Sequence, residues 1–172
     1  VSWSTTYNPL QQYGLKVKFV DICLETLNID LDSLENAVSE KTKLLFLVNL
    51  LGNPNCMNEV FDICSKYSVE IIEDNCESLG AEYMTKKCGS FGAMSSHSFF
   101  FSHHISTMEG GMISTNSEEL FHILKSLRAH GWTRDLPSDS SLHKKGQDNF
   151  YEMFNFIIPG YNLRPLEMSG AI

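Results

Sequence analysis

The sequence predicts an α/β domain with a mixed, mostly parallel sheet that is flanked by helices. The run KLLFLVNLL at residues 43–51 is nearly continuous in apolar side chains, as expected of a strand buried on both faces of a parallel sheet. Val60, Ile63 and Tyr67 then keep helical spacing and lead into a second strand pattern at 69–74. This repeat of strand, helix and strand favours right-handed crossovers within one sheet. A chain of 172 residues is long enough for one such domain.

The segments before this run predict one further strand and two helices. Residues 4–13 are typical of a short helix that ends at Gly14, and residues 17–22 alternate apolar and polar side chains as a strand does. Asp30 is suited to cap the next helix, whose apolar positions are Leu31, Leu34 and Val38.

Beyond Asp74 the predicted elements become shorter. Residues 80–83, 94–101 and 111–115 read as strands joined by turns, and Asn116 or Ser117 could then cap a helix that runs through Leu127.

The last part of the chain changes in character. Residues 133–147 are polar and predict an exposed loop, whereas residues 161–172 are apolar again. The sequence starts at Val1 without an initiator Met and stops at Ile172 within a helical pattern, so we expect it to be part of a longer protein.

Charge and hydropathy exclude two classes of partner. The net charge is -8 and the basic pair Lys144-Lys145 is isolated, so we expect no nucleic-acid surface. No apolar stretch reaches the roughly 18 residues that a membrane span needs. We therefore expect no membrane partner and a cytoplasmic protein.

The cysteines predict neither a disulfide framework nor a metal site. There are five, an odd number, and none is in a CxxC spacing, so reduced thiols are expected: Cys23, Cys56, Cys64, Cys76 and Cys88.

Asp74 is the first candidate for a functional side chain. It ends a predicted strand, and ligands of open α/β sheets bind where the strands reach their carboxyl edge. A carboxylate there could hold a cationic group, and Glu77 could face the same site if the segment curls into a helical turn. The alternative, that Asp74 only caps this turn, fits its position equally well.

Two adjacent histidines, His103 and His104, form the second candidate. A single histidine is more often structural or exposed than catalytic, and an adjacent pair on an extended segment points in opposite directions, so at most one faces a given ligand. The nearby His97 adds no metal-ligand spacing, and no metal is expected. The glycines of residues 109–111 are typical of a tight turn.

Other polar side chains leave two interpretations open. Ser98 and Ser102 could bind phosphate or could be ordinary polar strand residues. Residues 128–134, RAHGWTR, suit an anionic or ring-bearing ligand, and they suit equally a basic helix C-terminus closed by Gly131. The residues alone therefore indicate a polar site near Asp74 and His103 without specifying a reaction.

Several motifs together resemble the pyridoxal-phosphate sugar aminotransferases of fold type I, often called the DegT/DnrJ/EryC1/StrS family. They occur in order over essentially the whole chain, as FVDI at 19–22, NID at 28–30, EDNCESLGA at 73–81, GSFG at 89–92, SF at 98–99 and EGG at 109–111. The resemblance implies an aspartate aminotransferase-like large domain with pyridoxal 5'-phosphate (PLP) or pyridoxamine 5'-phosphate as cofactor. Residues 1–172 would be the central part of this PLP-binding domain, with the family's N-terminal phosphate loop before them and its small C-terminal domain after them.

His103 is where the sequence departs from the family pattern. The family has a lysine at this place, four residues after Ser-Phe, and the lysine forms an imine with the cofactor. An imidazole cannot form a stable imine, so the cofactor would be held non-covalently. The change resembles a subgroup, the 3-dehydratases of nucleotide-linked 4-keto-6-deoxy sugars, in which histidine replaces the lysine. Because no cysteine follows Cys88, the iron–sulfur cluster of a CDP-sugar relative is not expected.

The family's roles transfer to four further residues. The resemblance implies that Asp74 pairs with the protonated pyridine nitrogen, that Glu77 reaches the ring hydroxyl and that Ser98 binds the cofactor phosphate. Asn162 matches a residue that contacts phosphate in the neighbouring subunit, which implies a homodimer with a shared active site.

The implied reaction is removal of the 3-hydroxyl from a nucleotide-linked keto sugar, with glutamate as amino donor and His103 as catalytic base. The strings at 102–111, 128–134 and 159–167 are most similar to members that use GDP-4-keto-6-deoxy-D-mannose in dideoxysugar and O-antigen biosynthesis. One alternative is an ordinary nucleotide-sugar aminotransferase, although Lys86, Lys87 and Lys125 lie outside the motif. The other is a non-catalytic cofactor-binding remnant.

Overall fold

The computed structural model describes residues 1–172, which form two compact units, Val1–Ser114 and Thr115–Ile172. The helices of the first unit are α1 (Ser4–Gln12), α2 (Leu31–Ala37) and α3 (Met57–Ser65), with a 3-10 turn at Leu50–Gly52. Its strands are β1 (Leu44–Val48), β2 (Glu70–Asp74), β3 (Glu82–Tyr83), β4 (Lys86–Lys87), β5 (Met94–Ser98) and β6 (Gly111–Ser114). The second unit contains α4 (Glu118–Leu127), α5 (Asn149–Met153) and α6 (Glu167–Ala171). No helix has the length and apolar character needed to cross a membrane.

The main sheet has the strand order β1-β2-β5-β6. Strands β1, β2 and β5 are parallel, and β6 runs antiparallel to β5. Strands β3 and β4 form a separate antiparallel pair. The predicted mixed, mostly parallel sheet is confirmed.

The apolar core of the first unit includes one face of β1 and β2. Leu45, Leu47 and Ile71 pack there with side chains of α2, α3 and their ends: Leu34, Val38, Met57, Val60, Ile63 and Cys64. The other side chains of β1 alternate with these and are only half-buried. The prediction that this strand is buried on both faces is therefore wrong, because an apolar run does not specify what covers its second face.

Two predicted helix caps can be compared with the structure. Asp30 caps α2 by accepting a 2.7 Å hydrogen bond from the Ser33 amide. The hydrogen bond with the Ser33 side chain, and then the one from its amide, lowers the pKa of Asp30. Ser117, rather than Asn116, caps α4, and its hydroxyl accepts from the Leu120 amide at 3.3 Å.

Three predicted strands are shorter than expected. Residues 17–22 provide only an isolated bridge, from Ile22 to Ile29, because alternating side chains make a strand only where a neighbouring strand pairs with them. The strand predicted at 94–101 ends at Ser98, and the one predicted at 80–83 is reduced to β3.

The polar segment 133–147 is not the exposed loop that its composition predicts. It has no helix or strand, but Thr133, Leu136 and Ser140 within it are buried. Glu152 of α5, a helix that the sequence pattern missed, accepts from the Gly146 amide at 2.8 Å and from the Thr133 hydroxyl at 3.1 Å. The Gly146 amide is also the main reason why the pKa of Glu152 is lowered. The buried Glu152 carboxylate thus holds both ends of segment 133–147 in place.

Candidate active site

Asp74 lies at the carboxyl end of β2, between the ends of two neighbouring parallel strands. Its register partners are Val48 of β1 and Ser96 of β5, and Ser98 ends β5 two residues further on. Because successive side chains of a strand alternate in direction, Ser96 and Ser98 share one face of β5. The structure thus places Asp74 and Ser98 at the same edge of the sheet.

The Asp74 carboxylate is buried and accepts hydrogen bonds from uncharged donors. Its Oδ2 accepts from the Thr6 hydroxyl at 2.7 Å. Its Oδ1 accepts from the Cys76 amide at 3.1 Å and from the Ser96 hydroxyl at 3.4 Å. The side chain therefore caps the local turn, as one interpretation held, although no helix follows it. None of these donors carries a positive charge, so the carboxylate has no cationic partner among them.

The Cys76 thiol belongs to the same shell of donors. Burial, and then its hydrogen bond with Asp74, raises the pKa of Cys76 to about 12. The thiol therefore stays protonated at neutral pH and acts as a weak donor rather than as a nucleophile.

Glu73, the residue before Asp74, is fully buried and organises the start of β5. Its Oε2 accepts from the Gly89 amide at 2.7 Å and from the Asn49 side-chain amide at 3.3 Å. Its Oε1 accepts from the amides of Phe91 and Gly92, at 2.8 and 2.9 Å. This side chain fixes the GSFG turn that precedes β5. The sequence patterns assigned no function to it, because a carboxylate in a strand gives no signal of the amides that it will meet.

A buried amide network fixes the loops that follow β1 and β2. Asn49 donates to Asn75 at 2.8 Å, Asn75 donates to Ser95 at 2.7 Å, and Asn55 donates to Asn49 at 2.9 Å. The Ser78 hydroxyl donates to the carbonyl oxygen of Asn49. The carboxyl edge of the sheet is held by polar side chains whose hydrogen bonds are satisfied internally.

Glu77 is half-buried and lies in the turn after β2. Its Oε2 accepts a 3.1 Å hydrogen bond from the Leu51 amide, and the neighbouring Ser78 hydroxyl accepts from the Gly52 amide at 3.1 Å. Glu77 thereby joins its loop to the loop after β1. One of its carboxylate oxygens takes no part in that bond.

Ser98 and His103 lie on either side of a tight turn. The Ser98 hydroxyl accepts from the Phe100 amide at 3.2 Å, and the His103 amide donates to the Phe100 carbonyl at 3.0 Å. The half-buried His103 ring lies 6.4 Å from the Phe100 ring, whereas His104 is exposed. The chain bends at these residues, so the alternation of side chains along an extended segment does not apply to the two histidines.

The loop that carries His103 is closed at its base. The amide of Phe99 donates to the Gly110 carbonyl, and the amide of Thr107 donates to the Phe99 carbonyl, both at 2.9 Å. Gly110 has φ 148°, a left-handed value that favours glycine, so the turn predicted for the EGG motif is present. His103 therefore lies in a short loop that leaves and re-enters the sheet at β5 and β6.

His97 is on the opposite face of β5 from Ser96 and Ser98. Its Nε2 lies 3.3 Å from the Ser114 hydroxyl, and its buried Nδ1 has no hydrogen-bond partner. Burial lowers the pKa of His97, which keeps the imidazole neutral inside the unit.

Asn162 and the RAHGWTR segment belong to the second unit. Helix α4 ends at Leu127, and the Gly131 amide donates to the Ser126 carbonyl at 2.9 Å, so this segment is a helix C-terminus as one interpretation held. Its Trp132 ring also lies 4.0 Å from the Arg134 guanidinium. Asn162 is exposed and forms an isolated bridge with Ala129.

The whole chain, residues 1–172, matches the DegT/DnrJ/EryC1/StrS aminotransferase family. It is 58% identical over 173 residues to the GDP-4-keto-6-deoxy-D-mannose 3-dehydratase of Escherichia coli O55:H7, over 100% of this chain and 45% of that protein. A solved structure of the E. coli GDP-4-keto-6-deoxy-D-mannose-3-dehydratase with bound hydrated PLP is 57% identical, with a TM-score of 0.96 over 99% of this chain and 44% of that chain.

A second solved structure is of GDP-4-keto-6-deoxymannose-3-dehydratase with a trapped PLP-glutamate geminal diamine. It has a TM-score of 0.95 and 57% identity over 99% of this chain and 45% of that chain. The chain thus spans about half the length of the curated relatives that it matches.

Proposed function

Because the chain belongs to the DegT/DnrJ/EryC1/StrS aminotransferase family, we propose that it is the central part of the cofactor-binding domain of a PLP-dependent sugar 3-dehydratase. The substrate would be a nucleotide-linked 4-keto-6-deoxy sugar, GDP-4-keto-6-deoxy-D-mannose in particular. The family's N-terminal phosphate loop and small C-terminal domain would lie outside residues 1–172.

One observation carries this proposal. His103 stands four residues after Ser98-Phe99, where the family has its cofactor-linking lysine, and residues 98–111 contain no lysine. The identity of 58% to a 3-dehydratase over the whole chain supports the same interpretation.

The donors and acceptors at the sheet edge fit the cofactor. The buried Asp74 carboxylate accepts only from uncharged groups, so it can pair with a protonated pyridine nitrogen. The Ser98 hydroxyl accepts from Phe100, which leaves its proton free for a phosphate oxygen. The Glu77 carboxylate uses one oxygen for the Leu51 amide and can accept from the ring hydroxyl with the other.

When bound, the cofactor supplies an amino group for the sugar ketone and a ring that acts as an electron sink. Asp74 keeps the ring nitrogen protonated, and Ser98 holds the phosphate. The His103 imidazole, which cannot form a stable imine, would serve instead as the general base: it would take up a proton and return it to the C3 hydroxyl, which would leave as water.

Glutamate would balance the reaction. It supplies the amino group and two electrons and is converted to 2-oxoglutarate, while the sugar loses its 3-hydroxyl and the amine is released by hydrolysis as ammonia. The solved relative with trapped PLP-glutamate supports glutamate as the donor.

We also propose that two copies of the protein share the site. Asn162 is exposed in the second unit, where its side chain is accessible to a second subunit. In this arrangement Asn162 would contact the cofactor phosphate bound by the partner copy.

The test is to incubate the intact protein with PLP, glutamate and the GDP-linked keto sugar. Ammonia together with a 3-deoxy keto sugar supports the dehydratase. A stable 4-amino sugar would instead indicate the aminotransferase, and cofactor binding without turnover would indicate the remnant.

Variants at the histidine pair test the role of His103 directly. His103→Asn should abolish dehydration, whereas His104→Asn, the matched change at the exposed neighbour, should leave it intact. His103→Lys should create a borohydride-trappable link to PLP, seen as an added mass on the protein, and should stop dehydration. Full dehydration by His103→Asn would contradict the assignment of the base.

A further inference from the structure

Thr6 reaches Asp74 from a distant part of the chain. It is the third residue of α1, lies 68 residues before Asp74 and donates a part-buried 2.7 Å hydrogen bond to Oδ2. No motif in the sequence connects the two residues. The next side chain, Tyr7, packs edge-on against Phe19 with ring centroids 5.0 Å apart, so α1 has a second attachment that does not involve Asp74.

The donors to the two oxygens of Asp74 have different origins. Oδ1 accepts from the Cys76 amide in the turn after β2 and from the Ser96 hydroxyl in the adjacent strand, which are fixed by the sheet itself. Oδ2 accepts from Thr6, which is fixed by α1. The Thr6 bond is shorter than either contact to Oδ1.

These contacts fix the plane of the carboxylate. A carboxylate turns readily about its last side-chain torsion unless both oxygens are held, because that torsion is broad and roughly two-fold. Because the two oxygens turn together about that torsion, the short bond from Thr6 to Oδ2 restricts the same rotation as the longer contacts to Oδ1. A carboxylate oxygen has two lone pairs, so Oδ2 can accept a second donor beside the threonine hydroxyl.

We propose that Thr6 is a positioning residue for Asp74, which fixes the carboxylate so that Oδ2 meets the protonated pyridine nitrogen of the cofactor. The proposal rests on the proposed function, because it requires PLP at this edge of the sheet. Thr6 itself does not touch the reacting atoms.

The test compares three variants of the intact protein. Thr6→Val keeps the shape of the side chain and removes its hydroxyl, Thr6→Ser keeps the hydroxyl, and Thr5→Val makes the same change at the exposed preceding residue. The dissociation constant of PLP is measured by absorbance titration, and the pH at which the ring nitrogen of bound PLP titrates is read from its spectrum. Thermal unfolding of each variant without cofactor is recorded in parallel.

Positioning predicts a specific pattern. Thr6→Val should bind PLP about tenfold more weakly, since a hydrogen bond to a charged group is lost, and the ring nitrogen should titrate at a lower pH because its carboxylate partner is misaligned. Thr6→Ser and Thr5→Val should both resemble the unchanged protein.

Other outcomes overturn the inference. PLP affinity of Thr6→Val within twofold of the unchanged protein would show that Asp74 needs no such support. If the ring nitrogen of PLP bound to Thr6→Val titrated at a higher pH, the Thr6 hydroxyl would only weaken the negative charge of Asp74 and would not position it. Equal losses in Thr6→Val and Thr6→Ser, with matching losses of thermal stability, would show a purely structural role. If the unchanged protein fails to bind PLP, the proposed function fails first, and the inference fails with it.

Discussion

Substitution of Glu73 by glutamine should be among the most damaging isosteric changes in this protein. The carboxylate accepts four N–H donors, two on each oxygen. The glutamine amide must replace one oxygen by an NH₂ group, which then faces two N–H donors in a site with no access to water. At least two hydrogen bonds are lost, and those that remain are no longer made to a charged group.

The magnitude follows from the number of bonds lost. At about 1.5–3 kcal/mol for each hydrogen bond to a charged group, the loss is about 3–6 kcal/mol. That is a large part of the roughly 5–15 kcal/mol that stabilises a typical domain. The change should therefore lower the urea midpoint of unfolding strongly.

The assay is urea unfolding of the intact protein followed by circular dichroism, with the slope of the transition checked against that of the unchanged protein. Glu70→Gln is the matched control, since Glu70 starts the same strand and is exposed, and it should cost no more than about 0.5 kcal/mol. A loss below about 1 kcal/mol for Glu73→Gln would refute the reasoning that these four bonds fix the turn before β5.

Three further predictions concern titration, reactivity and close packing. Burial lowers the pKa of His97, so the unfolded chain binds a proton more readily than the folded one. The free energy of unfolding should therefore fall as the pH drops below about 6.5. His97→Gln should make the free energy of unfolding less dependent on pH, as measured by urea titrations at pH 7.5 and 5.5. The Cys76 thiol, with a pKa raised to about 12, should react with iodoacetamide at pH 8 far more slowly than the exposed Cys56, as measured by peptide mass. Gly131→Ala should lower the melting temperature by several degrees, because φ is 86° there and the added Cβ would lie 1.8 Å from the Ile158 carbonyl oxygen.

Each of these has a result that contradicts it. An unchanged pH slope in His97→Gln would mean that this imidazole does not control the acid sensitivity. Equal alkylation rates of Cys76 and Cys56 would mean that the Cys76 thiol is accessible to solvent and is not protected by its contact with Asp74. For the glycine, Gly170→Ala is the control, since nothing lies within 4 Å of its added Cβ, and equal melting temperatures for the two variants would exclude the clash.

Local patterns in the sequence were sufficient for the elements that depend on neighbouring residues. Asp30 caps its helix because its side chain needs only the amide three residues later. The apolar run at 43–51 contains strand β1, and Asp74 ends β2, because both signals lie within a few consecutive residues. The sheet and the edge at which the candidate site lies were therefore predictable.

Segments whose state depends on distant partners were not predictable in this way. Residues 17–22 alternate as a strand does, but only Ile22 finds a bridge partner. The polar segment 133–147 reads as an exposed loop, yet Glu152 holds part of it in the interior. The composition of a segment indicates what it prefers in isolation. It cannot indicate that a distant carboxylate, here that of Glu152, will accept hydrogen bonds from it.

The sequence by itself determined the α/β class and the family, and it predicted the side chains of the candidate site, with His103 at the place of the family's lysine. Tertiary structure decided how those side chains are held. Thr6 meets Asp74 across 68 residues, and Glu73 gathers the amides of the turn before β5. The physical reason is that a hydrogen bond between distant segments leaves no periodicity in either one, and it forms only after the sheet and its helices have brought them together.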